Sequence, residues 1–236
     1  RIHLFDTPLL MSRNMGLAVD QRVAKRIMDI LVSGIGIVIT SPIMLLIAIA
    51  VKAYDRGPVF YFQDRLTIGG KPFKICKFRS MCVDSEKNGA RLASKHDSRI
   101  TPVGHVLRNL HLDELPQLFN VFKGDMSLVG PRPERKTIMQ EYEKELPEFY
   151  YRLKVKAGLT GYAQVYGKYN TTPYDKLKLD LFYIENYSFL LDIKLIFMTV
   201  KIFFQKEVSE GVDDKQVNAL KDSGRNTGAS EDKTEE

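Results

Sequence analysis

The chain has 236 residues, 44% of them hydrophobic, enough for one packed domain of catalytic size with appendages. Its net charge of +6 is uneven, because residues 207–236 hold nine acids against four bases, which leaves residues 1–206 at +11. Two cysteines, Cys76 and Cys82, with no neighbouring pair at metal-ligand spacing, point to neither a zinc site nor a disulfide framework and read as reduced thiols facing cytosol. A basic body suits anionic lipid headgroups, polyphosphates or nucleic acid, and charge alone does not choose among them.

Residues 1–20, with Pro8, Gly16 and little periodicity, read as a linker, and Arg1 in place of a start Met is what a piece of a longer chain would show. A helix is expected to begin near Asp20 and to run into Ile30–Val51, 22 residues without a charge. That run is long enough to span a bilayer, and hydropathy alone favours a spanning helix kinked at Pro42. Arg22, Lys25 and Arg26 before it and Lys52 and Arg56 after it pull both ends to the cytoplasmic side, which favours a helix that dips in and returns. Pro42 removes a backbone donor at the bend, and the Thr40 and Ser41 hydroxyls can bond the carbonyls it frees.

Val59–Arg65 and Phe73–Arg79 are rich in aromatic and β-branched residues, and Ile68–Lys71 supplies a turn, so they read as a β-hairpin. Residues 52–80 hold seven bases and two acids, and Lys77 and Arg79 share a strand face that is either solvated or an anion site. Asp84–Asp97 is polar, a helix or a mobile surface loop. Leu112, Leu115, Leu118, Phe119 and Phe122 then recur at helical spacing up to Gly124, with Asp113 as N-cap candidate and Pro116 in the first turn. The Asp113-Glu114 pair either caps that helix or uses its N-terminus as an anion site. Gly124–Glu134 is expected to be a short turn-rich loop in which Pro131 and Pro133 stiffen Arg132, a phosphate ligand or a surface arginine. Phe189–Phe204 is apolar but too short and too charged to span, so it reads as an interfacial or core helix, and Phe182, Tyr183 and Tyr187 upstream suit a membrane boundary. Residues 207–236 read as a disordered acidic tail. The four histidines read as solvent-facing or structural, His111 being the one worth testing.

Lys25-Arg26-Ile27-Met28-Asp29, the Ser41-Pro42 break, Lys77–Met81, Leu112–Val121, Gly124–Pro133 and Gly158–Val165 occur in that order. Together they resemble the bacterial sugar transferase family, the monotopic polyprenyl-phosphate phosphoglycosyl transferases, over about residues 25–206. The resemblance implies an α+β fold: a membrane-associated, re-entrant helix-break-helix and a mostly helical cytoplasmic domain with a small β-hairpin and interfacial helices. Residues 1–24 would be the linker from a missing N-terminal region, 25–206 the catalytic domain and 207–236 the tail. It implies transfer of a sugar-1-phosphate, glucose or galactose being expected, from a UDP-sugar to undecaprenyl phosphate with release of UMP. Such a step opens exopolysaccharide, capsule or O-antigen synthesis at the cytoplasmic face of the bacterial inner membrane.

By the same resemblance Asp113 is the nucleophile, forming a phosphosugar-aspartyl intermediate, and Glu114 assists it and shares with it the Mg²⁺ the family uses. Arg132 with Pro131 and Pro133 would contact the donor, Lys77, Arg79 and Arg108 would add positive charge, and Lys168 and Asp180 stand at polar donor-binding positions. Ala157 replaces the usual proline, and Lys168 the usual arginine, whose bidentate fork lysine cannot reproduce. Membrane lipids are expected partners, nucleic acid is not, and a homodimer is compatible with the larger members. A catalytically silent scaffold for anionic lipids or partner enzymes is the alternative from another class.

Overall fold

The hydroxyls beside Pro42 do what the sequence expects of them. In a computed structural model that describes residues 2–4, 7–9, 16–83, 97–167 and 171–204, Val19–Asp55 forms one helix, α1, so that where a helix-break-helix is expected the backbone stays helical through Ser41-Pro42. The Ser41 hydroxyl donates to the Val38 carbonyl at 2.8 Å, the acceptor that Pro42 cannot serve, and Thr40 donates to Gly36 at 2.7 Å. Ahead of α1, within the expected linker, Ile2–Leu4 (β1) and Thr7–Leu9 (β2) pair antiparallel. The helix opens where Gln21 accepts from the Ala18 N–H at 3.0 Å, and it ends at Arg56, which takes a left-handed conformation.

At about 1.5 Å per residue, α1 is roughly 55 Å long, yet both its ends are fastened to the same body. Arg26 donates to the carbonyls of Val121 and Phe122 at 2.8 and 2.7 Å, and Lys25 pairs with Asp192 at 2.5 Å. At the other end Asp55 pairs with Arg79, while Val51 packs with Phe78 and Leu107. Between them Ile35, Val38, Ile39, Leu45, Leu46 and Ile49 are 57 to 72% exposed. An apolar face of that size has no place in water. Among the described residues α1 is the one helix long and apolar enough to cross a membrane.

Phe60–Leu66 (β3) and Pro72–Phe78 (β4) form the expected hairpin, registered from Phe60 opposite Phe78 to Leu66 opposite Pro72. Pro102–Asn109 (α2) follows, capped by Thr101, whose hydroxyl accepts from the Gly104 N–H at 2.9 Å. A 3₁₀ turn at Leu112–Glu114 leads into Gln117–Lys123 (α3), which Gly124 ends at φ 100°, a conformation that favours glycine. Next come Ser127–Val129 (β5), Lys136–Glu145 (α4), a 3₁₀ segment at Pro147–Lys154, Gly158–Thr160 (β6), Tyr162–Tyr166 (α5), Pro173–Glu185 (α6) and Phe189–Phe204 (α7). The fold is mixed, with many helices and, among the described residues, three two-stranded ladders.

Two local expectations are corrected. Asp113 is not the N-cap of α3; that position belongs to Pro116, and the carboxylate pair sits one turn earlier. Proline lacks the N–H that the interior of a helix needs, so the α-helical ladder starts after it. Residues 127–129 are not loop but a fully buried strand, paired parallel with β6. Their backbone groups reach partners 31 residues away in sequence, Ser127 opposite Gly158 and Val129 opposite Thr160, which no local pattern announces.

The main core joins Phe73 and Ile75 of β4, Val121 of α3, Leu128 and Val129 of β5, Tyr183 of α6 and Leu195 of α7. A second cluster seats the C-terminal half of α1, through Met44, Ile47 and Val51, on Phe78 and Leu107. The helix α7 is thus half core and half surface, with Leu195 buried and Leu190 and Phe197 exposed.

Candidate active site

Asp113 and Glu114 occupy the 3₁₀ turn between α2 and α3, entered through His111 at φ 52°. A left-handed backbone at a non-glycine residue costs of order 1 kcal/mol or more and persists where packing overdetermines it. Packing does so here: Leu112 and Leu115 lie against the cluster that holds α1, and Asn120 ties α3 to β4. Its side chain accepts from the Cys76 N–H at 2.9 Å and donates to the Lys74 carbonyl at 2.8 Å.

That tie brings Lys77 of β4 to the turn. Lys77 Nζ donates to Glu114 Oε1 at 2.7 Å, and Arg132 Nη2 donates to the same oxygen at 2.9 Å. Burial alone would raise the pKa of Glu114, but the charges of Arg132 and Lys77 outweigh it and hold the carboxyl well below its ordinary value of 4.5. Asp113, 8% exposed, accepts no hydrogen bond among the described residues. Burial is the main reason its pKa is raised above 3.8, with Lys77 opposing and the Glu114 charge adding to the rise. Two adjacent carboxylates are thereby driven apart, one held ionised by cations and one desolvated and without a donor. Such a division separates a charge anchor from a reactive group.

Arg132 is presented by the segment after β5. Gly158 donates to the Pro131 carbonyl at 2.9 Å, Arg152 to the Arg132 carbonyl at 3.0 Å, and Arg65 to the Pro133 carbonyl at 3.0 Å. Pro131 and Pro133 are buried, while the Arg132 side chain is 45% exposed, a fixed base with a guanidinium at the surface. Arg152 also pairs with Asp180 at 2.8 Å, both side chains being 1% exposed, and with Glu134, which Lys176 contacts too.

The residues singled out in the sequence therefore separate into groups. Asp113, Glu114, Lys77 and Arg132 come together. Arg108 reaches Ser80 through Nε at 3.1 Å and lowers the pKa of Asp113 through its charge. Arg79 does not join them: β4 ends at Phe78, and its guanidinium turns to Asp55 at the end of α1, so it shares no anion-binding face with Lys77. Asp180 does not join them either: it is buried and bound to Arg152, which also holds the Arg132 carbonyl. Lys168 lies outside the described residues, as do residues 84–96 and the acidic tail. Arg152, Glu134, Arg65 and Asn120 complete the site and carry no local signal in the sequence beyond their polarity.

For a metal, the available set is the Asp113-Glu114 pair; among the described residues no cluster of three or more His, Cys, Asp or Glu forms. Two carboxylates, one of them accepting no hydrogen bond among the described residues, fit a small hard cation that keeps water and takes its remaining oxygens from a phosphate substrate.

The family model for bacterial sugar transferases matches residues 20–206. A UDP-N-acetylgalactosamine-undecaprenyl-phosphate N-acetylgalactosaminephosphotransferase of Aeromonas hydrophila is 46% identical over 180 residues, 75% of this chain and 43% of that protein. A UDP-glucose:undecaprenyl-phosphate glucose-1-phosphate transferase of Klebsiella pneumoniae is 44% identical over 204 residues, 84% of this chain and 42% of that protein. An enzyme of the same description from Xanthomonas campestris is 43% identical over 191 residues, 78% of this chain and 40% of that protein. The chain spans less than half the length of each of these relatives.

Proposed function

Because the chain belongs to the bacterial sugar transferase family, we propose that it transfers a sugar-1-phosphate from a UDP-sugar to undecaprenyl phosphate, with Asp113 as the nucleophile. The observation that carries this reading is the contrast between Asp113, desolvated and without a hydrogen-bond donor among the described residues, and Glu114, tied down by Lys77 and Arg132. An Asp113 carboxylate oxygen attacks the phosphorus bonded to the sugar, and the bond from that phosphorus to the UMP oxygen breaks, its electron pair leaving with UMP. An oxygen of the lipid phosphate then attacks the same phosphorus, and the Asp113 carboxylate departs. Splitting the transfer lets a soluble nucleotide leave before a bulky lipid arrives at the same place.

Asp113 and Glu114 would hold Mg²⁺, which when bound screens the phosphate charge that repels an incoming carboxylate. Arg132, its backbone fixed on three sides and its guanidinium exposed, binds and orients the donor's phosphates, and Arg108 adds charge nearby. Lys77 keeps Glu114 in place.

In the membrane, α1 is read as a re-entrant element, its ends on the cytoplasmic face and its middle in the lipid. The support is that its two ends are fastened to one body while its middle is exposed and apolar. This seats the carboxylates near the level at which a lipid phosphate emerges from the bilayer. For the sugar, glucose or galactose is the sequence expectation, and the Aeromonas relative's name adds N-acetylgalactosamine.

The decisive experiment is intact-mass analysis of the protein incubated with Mg²⁺ and UDP-glucose, UDP-galactose or UDP-N-acetylgalactosamine, without acceptor lipid. A gain of one hexose phosphate, or one N-acetylhexosamine phosphate, that is absent in Asp113→Ala identifies mechanism and donor together. UMP release that persists in Asp113→Ala would instead support a non-covalent route, and neither adduct nor UMP from the wild type with any donor would support the non-catalytic scaffold.

A further inference from the structure

Where α1 leaves the apolar run at its N-terminal end, a cavity of about 220 Å³ opens between the helix and the chain after the 3₁₀ segment. Arg22, Lys25, Arg26, Lys154 and Lys156 line it, with Asp29 as the one carboxylate. Asp29 is already committed, its Oδ1 accepting from the Ser127 hydroxyl at 3.0 Å and from the Leu128 N–H at 2.9 Å. Lys25 is neutralised by Asp192. The other four cations make no ion pair among the described residues, although the charges of Asp29 and Asp125 act on Lys156. Arg26 spends its donors on the neutral Val121 and Phe122 carbonyls, Lys154 lies over the Tyr151 ring at 4.7 Å, and Arg22 and Lys156 make no ion pair. Burial, and then the charge of Arg26, depresses the pKa of Lys156, with the charges of Asp29 and Asp125 opposing.

Four cations without an ion pair around one concavity, beside a helix that also carries the exposed apolar residues Val19, Val23, Ile27 and Leu31, call for an anion held at a lipid boundary. We propose that this cavity binds the phosphate of an anionic membrane lipid headgroup, at a site separate from Asp113 and Glu114, and so fixes the depth and rotation of α1. The inference rests on the reading that α1 enters the membrane. Lys154 and Lys156 supply the charge and the cavity supplies the fit. Arg22, on the first turn of a long helix, adds to a helix terminus that already favours anions.

The test is flotation of the purified protein with phosphatidylcholine vesicles containing either no phosphatidylglycerol or about a third of it. The wild type is expected to bind the anionic vesicles more tightly, and the double variant Lys154→Gln/Lys156→Gln to lose most of that gain, roughly fivefold for each lysine removed. The charge-matched variant Lys136→Gln/Lys144→Gln, on exposed α4, is expected to keep it. Equal losses in both variants, or no gain with phosphatidylglycerol, overturn the proposal. So does competition by inorganic phosphate at matched ionic strength in the absence of any lipid dependence, which would make the cavity a soluble-anion site. Failure to bind plain phosphatidylcholine counts against the seating of α1 rather than against the cavity, so the two ideas fail separately.

Discussion

Arg152 donates through Nη2 to the carbonyl oxygen of Arg132 at 3.0 Å, so a guanidinium that is 1% exposed fixes the backbone of one that is 45% exposed. Rigidity at the donor-facing arginine is thus supplied from inside the protein, by a side chain whose other arms hold Asp180 and Glu134.

Replacing Arg152 with Met should be severe. It leaves Asp180 as a buried carboxylate without its cation, an arrangement that costs about 3–5 kcal/mol when one partner is removed. Arg152→Lys keeps the charge but cannot serve Asp180, Glu134 and the Arg132 carbonyl at once. A milder loss of stability is expected there, with a raised KM for the UDP-sugar. Thermal unfolding and UMP-release kinetics on the pair of variants separate the two effects.

The two site carboxylates should respond to pH in opposite senses. Glu114 has a folded pKa below its unfolded value, so the stability it contributes is fully present above about pH 4.5 and is lost as pH falls toward the folded pKa. The stability gap between wild type and Glu114→Gln should be constant near neutrality and shrink in acid. Asp113 has a raised folded pKa, so its contribution is present below about pH 3.8 and lost as pH rises through the folded pKa. Without metal, Asp113→Asn should melt higher than wild type at pH 7 while releasing no UMP. Calorimetry of the three proteins from pH 3 to pH 8 checks both signs.

Asn120 should matter although it touches no substrate. Asn120→Ala strands the Cys76 N–H and the Lys74 carbonyl, at about 1–3 kcal/mol for an unsatisfied buried group. Because β4 then loses its tie to α3, Lys77 should slip from Glu114 and kcat should fall more than KM rises. Chemical denaturation gives the first quantity and steady-state kinetics the second.

The ends of α1 should be reachable from one side only. In a background with Cys76 and Cys82 replaced by Ser, single cysteines at Val19 and at Tyr54, both exposed, should react with an impermeant maleimide in inside-out vesicles and not in right-side-out ones. Labelling of the two from opposite sides would establish a spanning helix.

The uncharged run at Ile30–Val51 with bases at both ends identified α1, and alternating aromatic and β-branched residues around Ile68–Lys71 identified the hairpin. Both are local patterns, because a helix face and a strand face are written within a few residues of themselves. Asp113, Glu114 and Arg132 were also legible as an unusual acidic pair and a proline-clamped arginine. What they meet was not. That Lys77 and Arg132, 37 and 18 residues from Glu114, share one of its oxygens follows from the Asn120 tie and from β5 pairing with β6. That Arg79 turns instead to Asp55, and that Asp113 is desolvated rather than held by a helix N-terminus, follows from where α1 and α2 pack. Sequence alone determined the elements and the kinds of group available. Tertiary structure decided which charges are neutralised and which are left to react, because desolvation and ion pairing depend on neighbours that the chain brings together only when folded.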